Sequence, residues 1–179
     1  MDFRSLPRLA VLSVALVAGL GGPAWSQTPA PKQFGAWSIV CDRPSGAAVD
    51  QCALMQNVIA EDRGDVGLSV VVLKTADRKA RILRVLAPLG VLLNPFQPTD
   101  GGLGLIVDGK DLGKTQFVRC FSDGCYAEVA LTDDLLKILR AGSTAVFWIR
   151  DRPKTDKKDE RIGIPVELKG FAQGYDALP

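Results

Sequence analysis

Only one stretch of this chain has the pattern of a helix; everything around it breaks into short runs suited to β-strands. At residues 132–140 (TDDLLKILR), Thr132 is a good N-cap, and Asp133 and Asp134 follow where the positive end of a helix favours acids. Leu135, Leu136, Ile138 and Leu139 make one apolar face, Leu131 and Leu136 are spaced as a hydrophobic staple, and Gly142 can close the element. Elsewhere, strand-like runs fall at 34–41, 50–60, 67–75, 80–87, 103–107, 116–120, 125–131, 144–149 and 162–168. Turn signals recur at roughly 8–12 residues, as in sandwiches and barrels. The strongest hairpin signal is Asp108-Gly109. The predicted class is all-β: a β-sandwich or partly open barrel with one short helix near 132–141.

The first 26 residues read as a secretory signal peptide. Arg4 and Arg8 precede an uncharged apolar run of 12 residues, 9–20. Gly21, Gly22 and Pro23 break it, and Ala24 and Ser26 supply the small residues of a cleavage site. The run is too short for a transmembrane helix, which needs about 20 residues. The Pro-containing stretch 27–32 is expected to be a flexible leader, and 33–178 a single β domain.

Export governs how the four cysteines are read. An even count in an oxidising compartment points to disulfides. Cys41 and Cys52 are 11 residues apart, and Cys120 and Cys125 are 5 apart. Four cysteines allow three connectivities, and spacing alone does not choose among them. The two local pairs are favoured because short loops close most easily. A zinc site would show tighter spacing or histidine partners, and the chain has no histidine. No metal or cofactor is expected.

The remaining chemistry narrows the function classes. Without residues 1–26 the chain keeps 20 basic and 19 acidic residues, a balance with no electrostatic case for nucleic acid. The dense segment 150–161 (RDRPKTDKKDER) mixes both signs and reads as a solvated hairpin end, or as a loop for an anionic partner. No nucleophile elbow, phosphate loop or calcium loop occurs. Glu128, Glu167 and Asp176 qualify as glycan-hydrolase acids by residue type only. Asp133 and Asp134 are explained by the helix start. Trp37 and Trp148 lie in apolar runs and are expected in the core. The run 88–98 (PLGVLLNPFQP) is apolar, yet its three prolines bar it from a central strand. Leu89, Val91, Leu92 and Phe96 are therefore the candidate contact surface.

Several motifs resemble one family. They are Phe34-Gly35-Ala36-Trp37, Cys41-Asp42, Cys52-Ala53-Leu54-Met55-Gln56 and Leu83 through the Leu86-Ala87-Pro88-Leu89-Gly90 stretch to Leu93. They continue with Ile106-Val107-Asp108-Gly109-Lys110, Phe117-Val118-Arg119-Cys120, Gly124-Cys125 and Gly163-Ile164-Pro165-Val166. Gly170-Phe171 and Gly174-Tyr175-Asp176-Ala177-Leu178 complete the set. Together they resemble the invasion-associated locus B family of exported proteobacterial proteins, over about residues 33–178. The resemblance implies a role in host-cell entry for some pathogenic members. It supplies no catalytic residue, and only the paired cysteines carry over. The expected function is an exported, non-enzymatic binding or accessory protein of the envelope, periplasmic or secreted, with a protein or envelope partner. The alternatives are an envelope assembly or folding partner, or a glycan-acting hydrolase.

Overall fold

The computed structural model describes residues 31–75, 77–90, 101–150 and 161–179. The expected signal segment, most of the leader, Val91, Leu92, Phe96 and residues 151–160 lie outside them. Strands β1 (Lys32–Phe34), β2 (Trp37–Asp42), β3 (Gln51–Ala60), β4 (Arg63–Lys74) and β5 (Arg81–Ala87) come first. Then follow β6 (Leu103–Val107), β7 (Lys110–Thr115), β8 (Phe117–Phe121), β9 (Gly124–Ala130) and helix α1 (Asp133–Ala141). Strands β10 (Thr144–Arg150) and β11 (Arg161–Glu167) and helix α2 (Phe171–Asp176) close the chain.

The strands form two antiparallel sheets, one of seven in the order β1-β2-β3-β4-β5-β9-β8 and one of four in the order β11-β10-β6-β7. Neither closes into a barrel, so the architecture is the sandwich of the two predicted forms. Alternation drives it. In β5, Leu83, Val85 and Ala87 are buried while Ile82, Arg84 and Leu86 face out. In β4, Val66, Leu68, Val70 and Val72 do the same over two more turns of the pleat. These inward rows meet Phe147, Ile149, Ile162, Ile164 and Val166 from the smaller sheet in one core.

Helix α1 sits where it is predicted. The Thr132 side chain accepts from the Leu135 N–H, and the Leu136 N–H donates to the Thr132 carbonyl. Its end is also where it is predicted, with Gly142 as the C-cap and its N–H donating to the Ile138 carbonyl. Gly142 is extended rather than left-handed, and its role is spatial, because a Cβ there would meet Val107 and Leu168 at 2.8 and 2.9 Å. Three differences are local. The 116–120 and 125–131 runs form a tighter hairpin than expected, turning at Ser122 and Asp123. The first run splits into a small hairpin, β1 with β2. A second helix, α2, also forms, against the single helix predicted. It packs Phe171 edge-on against Trp37, with ring centroids 5.2 Å apart.

Candidate functional site

Two strand pairs carry the covalent cross-links. Hairpin register places Cys41 directly opposite Cys52, and Cys120 directly opposite Cys125. Both pairs are bonded, Cys41–Cys52 and Cys120–Cys125, with no free cysteine. The favoured local connectivity is the one present. These bonds are compatible with an exported protein.

The outward face of the larger sheet gathers exposed apolar side chains at one end. Ile59 pairs with Gly67, Ser69 with Leu86, and Leu86 with Tyr126, so β3, β4, β5 and β9 end side by side. A shallow groove of about 280 Å³ runs across these ends, lined by Asn57, Gly67, Ser69, Leu86, Pro88 and Asp123. Ile59, Leu89 and Phe121 stand around this end at 65%, 59% and 54% exposure. Leu89 is the one residue of the candidate contact set within the described residues, and it is exposed there. The tip is held tightly, since a Cβ on Gly124 would fall 2.3 Å from the Ala87 carbonyl oxygen. At φ +145°, glycine suits that position better than any L side chain.

A ladder of aromatic rings and cations borders the groove. Phe121 packs edge-on to Tyr126 at 5.8 Å, and Arg119 lies 5.9 Å from the Phe121 ring. Arg84 lies 5.8 Å from the Tyr126 ring and also pairs with Glu128 at 2.7 Å. The Tyr126 hydroxyl donates to Asp123, and this hydrogen bond, with some burial and the nearby negative charge, raises the phenol pKa. The ladder puts cations and ring edges beside an apolar groove, a composition seen at binding surfaces.

The carboxylates proposed by residue type are on three separate elements. Glu128 of β9 is engaged by Arg84. Asp176 of α2 takes a two-pronged grip from Arg140 at 2.7 and 2.8 Å, which lowers its pKa. Glu167 is exposed at the end of β11. Among the described residues no group of three or more cysteine, aspartate or glutamate side chains is placed to hold a metal ion. No helix among them is long and apolar enough to cross a membrane.

Trp37 is core as predicted, at 1% exposure. Trp148 is buried but outside the main core. It lies over Gly104 on the outward face of the smaller sheet, with the Arg161 guanidinium 4.5 Å from its ring. Arg150 and Arg161 pair at the end of the β10–β11 hairpin, and the rest of the charged segment lies outside the described residues.

The structure also has a cleft that sequence reading missed, between the two sheets at the side where β7 meets β9. Its volume is about 130 Å³. Its walls come from Leu83, Val85, Ala127 and Val129 of the larger sheet, Leu103, Leu105, Leu112 and Phe147 of the smaller, and Leu135 of α1. These residues come from six elements scattered over 65 positions of sequence, from 83 to 147. No local motif marks it.

No curated protein matches the chain at a significant level. Among solved structures, the fold is similar to the crystal structure of invasion associated protein B from Bartonella henselae, with a TM-score of 0.62 and 19% identity, covering 82% of this chain and 92% of that one. At that identity the likeness concerns the fold. The sequence model described as Invasion associated locus B (IalB) protein matches residues 37–179, which takes in both disulfides, every strand from β2 to β11 and both helices. The chain belongs to the invasion associated locus B family.

Proposed function

We propose that this protein is an exported, non-enzymatic binding or accessory protein of the bacterial envelope, acting through the apolar end of its larger sheet. The observation that carries the reading is that Ile59, Leu89 and Phe121 are all exposed at the end of the larger sheet that holds the shallow groove, Ile59 and Phe121 on strands to either side of it. Exposed apolar groups gathered in one place mark interaction sites, whereas single ones do not. Leu89 also belongs to the apolar run that continues to Phe96, and Val91, Leu92 and Phe96 stay with it in the proposed contact set. The signal-like N-terminus and the two disulfides support export. The name of the Bartonella protein, invasion associated protein B, supports an accessory role of this kind.

The test is site-specific photo-crosslinking in intact cells. A photoreactive residue at position 89 is compared with one at Lys137, on the far helix. A discrete adduct from position 89, lost when Phe121→Ser is introduced and absent from position 137, supports the surface. Equal labelling from both positions, or an adduct indifferent to Phe121, sinks it. N-terminal sequencing of the envelope fraction checks export separately. The expected start is near Gln27, and a retained 9–20 segment contradicts the reading.

A further inference from the structure

We propose that the cleft between the sheets is a binding site for small apolar molecules, of the size of a single aromatic ring or a short branched alkyl group. This site is separate from the groove at the sheet end and does not depend on it.

The cleft exists for structural reasons. The two walls are built from directly opposed pairs, Leu83 with Val129 and Val85 with Ala127 on one side, Leu105 with Phe147 on the other. Side chains from two such faces normally interdigitate to fill the space between sheets. Here Ala127 is small, and the β6–β7 ladder shifts register between Gly104 and Ile106, next to Leu105. A bulge of this kind bends a strand and re-aims its side chains. Gly113, at φ +91° in β7, adds a second departure from the regular pleat on the same wall. The seven-stranded sheet is also wider than its four-stranded partner, and Leu135 of α1 covers part of the difference.

The lining selects the ligand class. Nine apolar side chains form the walls, and Gly113, Lys114, Thr115 and Glu128 complete the lining. Glu128 is already engaged by Arg84 at 2.7 Å. The cleft opens on the side of the edge strand β7, where Gly113, Lys114, Thr115 and Glu128 offer water its polar partners, whereas the inner walls offer a water few of the two to four that it needs. Interiors are close-packed, so an apolar space of this size forfeits dispersion contacts that a guest would restore. A dry apolar cavity of about 150 Å³ is known to take benzene, which sets the scale of the guest. The volume here is about 130 Å³.

The experiment titrates toluene, indole and isobutylbenzene, one at a time, into the full exported chain with its disulfides intact. Thermal midpoint and methyl proton–carbon spectra are read together. The expected result is a saturable rise of about 3–6 °C at tenfold excess over the dissociation constant. Methyl shifts should be confined to Leu83, Val85, Leu103, Leu105, Leu112, Ala127, Val129 and Leu135. Ala127→Leu, which fills the space, should abolish the rise. If that variant does not fold, Val129→Ile and the wild-type spectra decide the matter. No saturable rise with any of the three compounds overturns the proposal. So does a rise that persists in the filled variant, or methyl shifts centred on Leu54 or Ile59.

Discussion

The indole N–H of Trp37 donates a 2.7 Å hydrogen bond to the main-chain carbonyl of Glu167, 130 positions away. Trp37 opens β2 in the larger sheet and Glu167 ends β11 in the smaller, so one bond ties the two sheets at a single corner. The ring also packs edge-on to Phe171 of the C-terminal helix. Trp37→Phe keeps the aromatic body but leaves the carbonyl without its donor. We expect a loss of about 1–3 kcal/mol for the unmet acceptor. Trp37→Ala should cost about 3–5 kcal/mol, because a cavity opens as well. Urea unfolding of both variants, with disulfides intact, measures the difference.

Asp108 locks the β6–β7 turn to the next strand. It takes positive φ (+47°) beside Gly109, and its carboxylate accepts from the main-chain N–H groups of Thr144 and Ser143, each at 2.9 Å. Those two donors, Thr144 first, lower its pKa below the usual 3.8. A depressed folded-state pKa means stability that is fully present above the unfolded value and lost as pH falls through the folded one. Wild-type stability should therefore drop below about pH 3.8, and Asp108→Asn should flatten that part of the curve. Unfolding midpoints of the two proteins between pH 2 and 6, with carboxyl titration by NMR, test this. An unchanged acid limb in Asp108→Asn removes the argument.

The two disulfides should contribute similarly and separately. Their loops span 11 and 5 positions, for which loop closure predicts about 2–3 kcal/mol each. Cys41→Ala/Cys52→Ala and Cys120→Ala/Cys125→Ala should each lower the denaturation midpoint without abolishing folding. Because the bonds sit on different strand pairs, their effects should add within about 0.5 kcal/mol. Strong non-additivity in the four-cysteine variant contradicts this expectation.

Gly104 is needed for space. A Cβ there would lie 1.9–2.3 Å from three atoms of the Trp148 ring system. Gly104→Ala must displace the indole and its stacked Arg161, and we expect a cost of about 1–3 kcal/mol. Trp148 emission should shift to longer wavelength as the ring gains water. A variant with wild-type emission and midpoint shows that the indole is not held by this contact.

Contacts between neighbours in sequence account for what was legible in advance. Val85 and Ala87 face in and Arg84 faces out because the pleat alternates. Thr132, Asp133 and Asp134 start a helix because their side chains and charges suit its first turn. Cys41 meets Cys52 because a hairpin brings its arms into register. The groove at the sheet end was partly legible. Leu89 stands out as an apolar residue beside a proline, but Ile59 and Phe121 belong to other strands, and only the ladder brings all three to one end.

The sequence by itself determined the β class, the helix at α1, the hairpin at Asp108-Gly109 and a preference for local disulfides, since each depends on neighbours in the chain. Only the tertiary structure decided the rest. Helix α2 contains Gly174, has Gly170 as its N-cap and so has no side-chain cap, and local propensity therefore argues against it. It forms because Phe171 and Tyr175 bury against distant residues, and because packing outweighs propensity in short helices. Trp148 looked like core from its neighbours, yet the period of two turns it to the opposite face from Phe147 and Ile149. The inter-sheet cleft exists only once two sheets of unequal width are stacked, because its walls come from side chains that no local pattern relates.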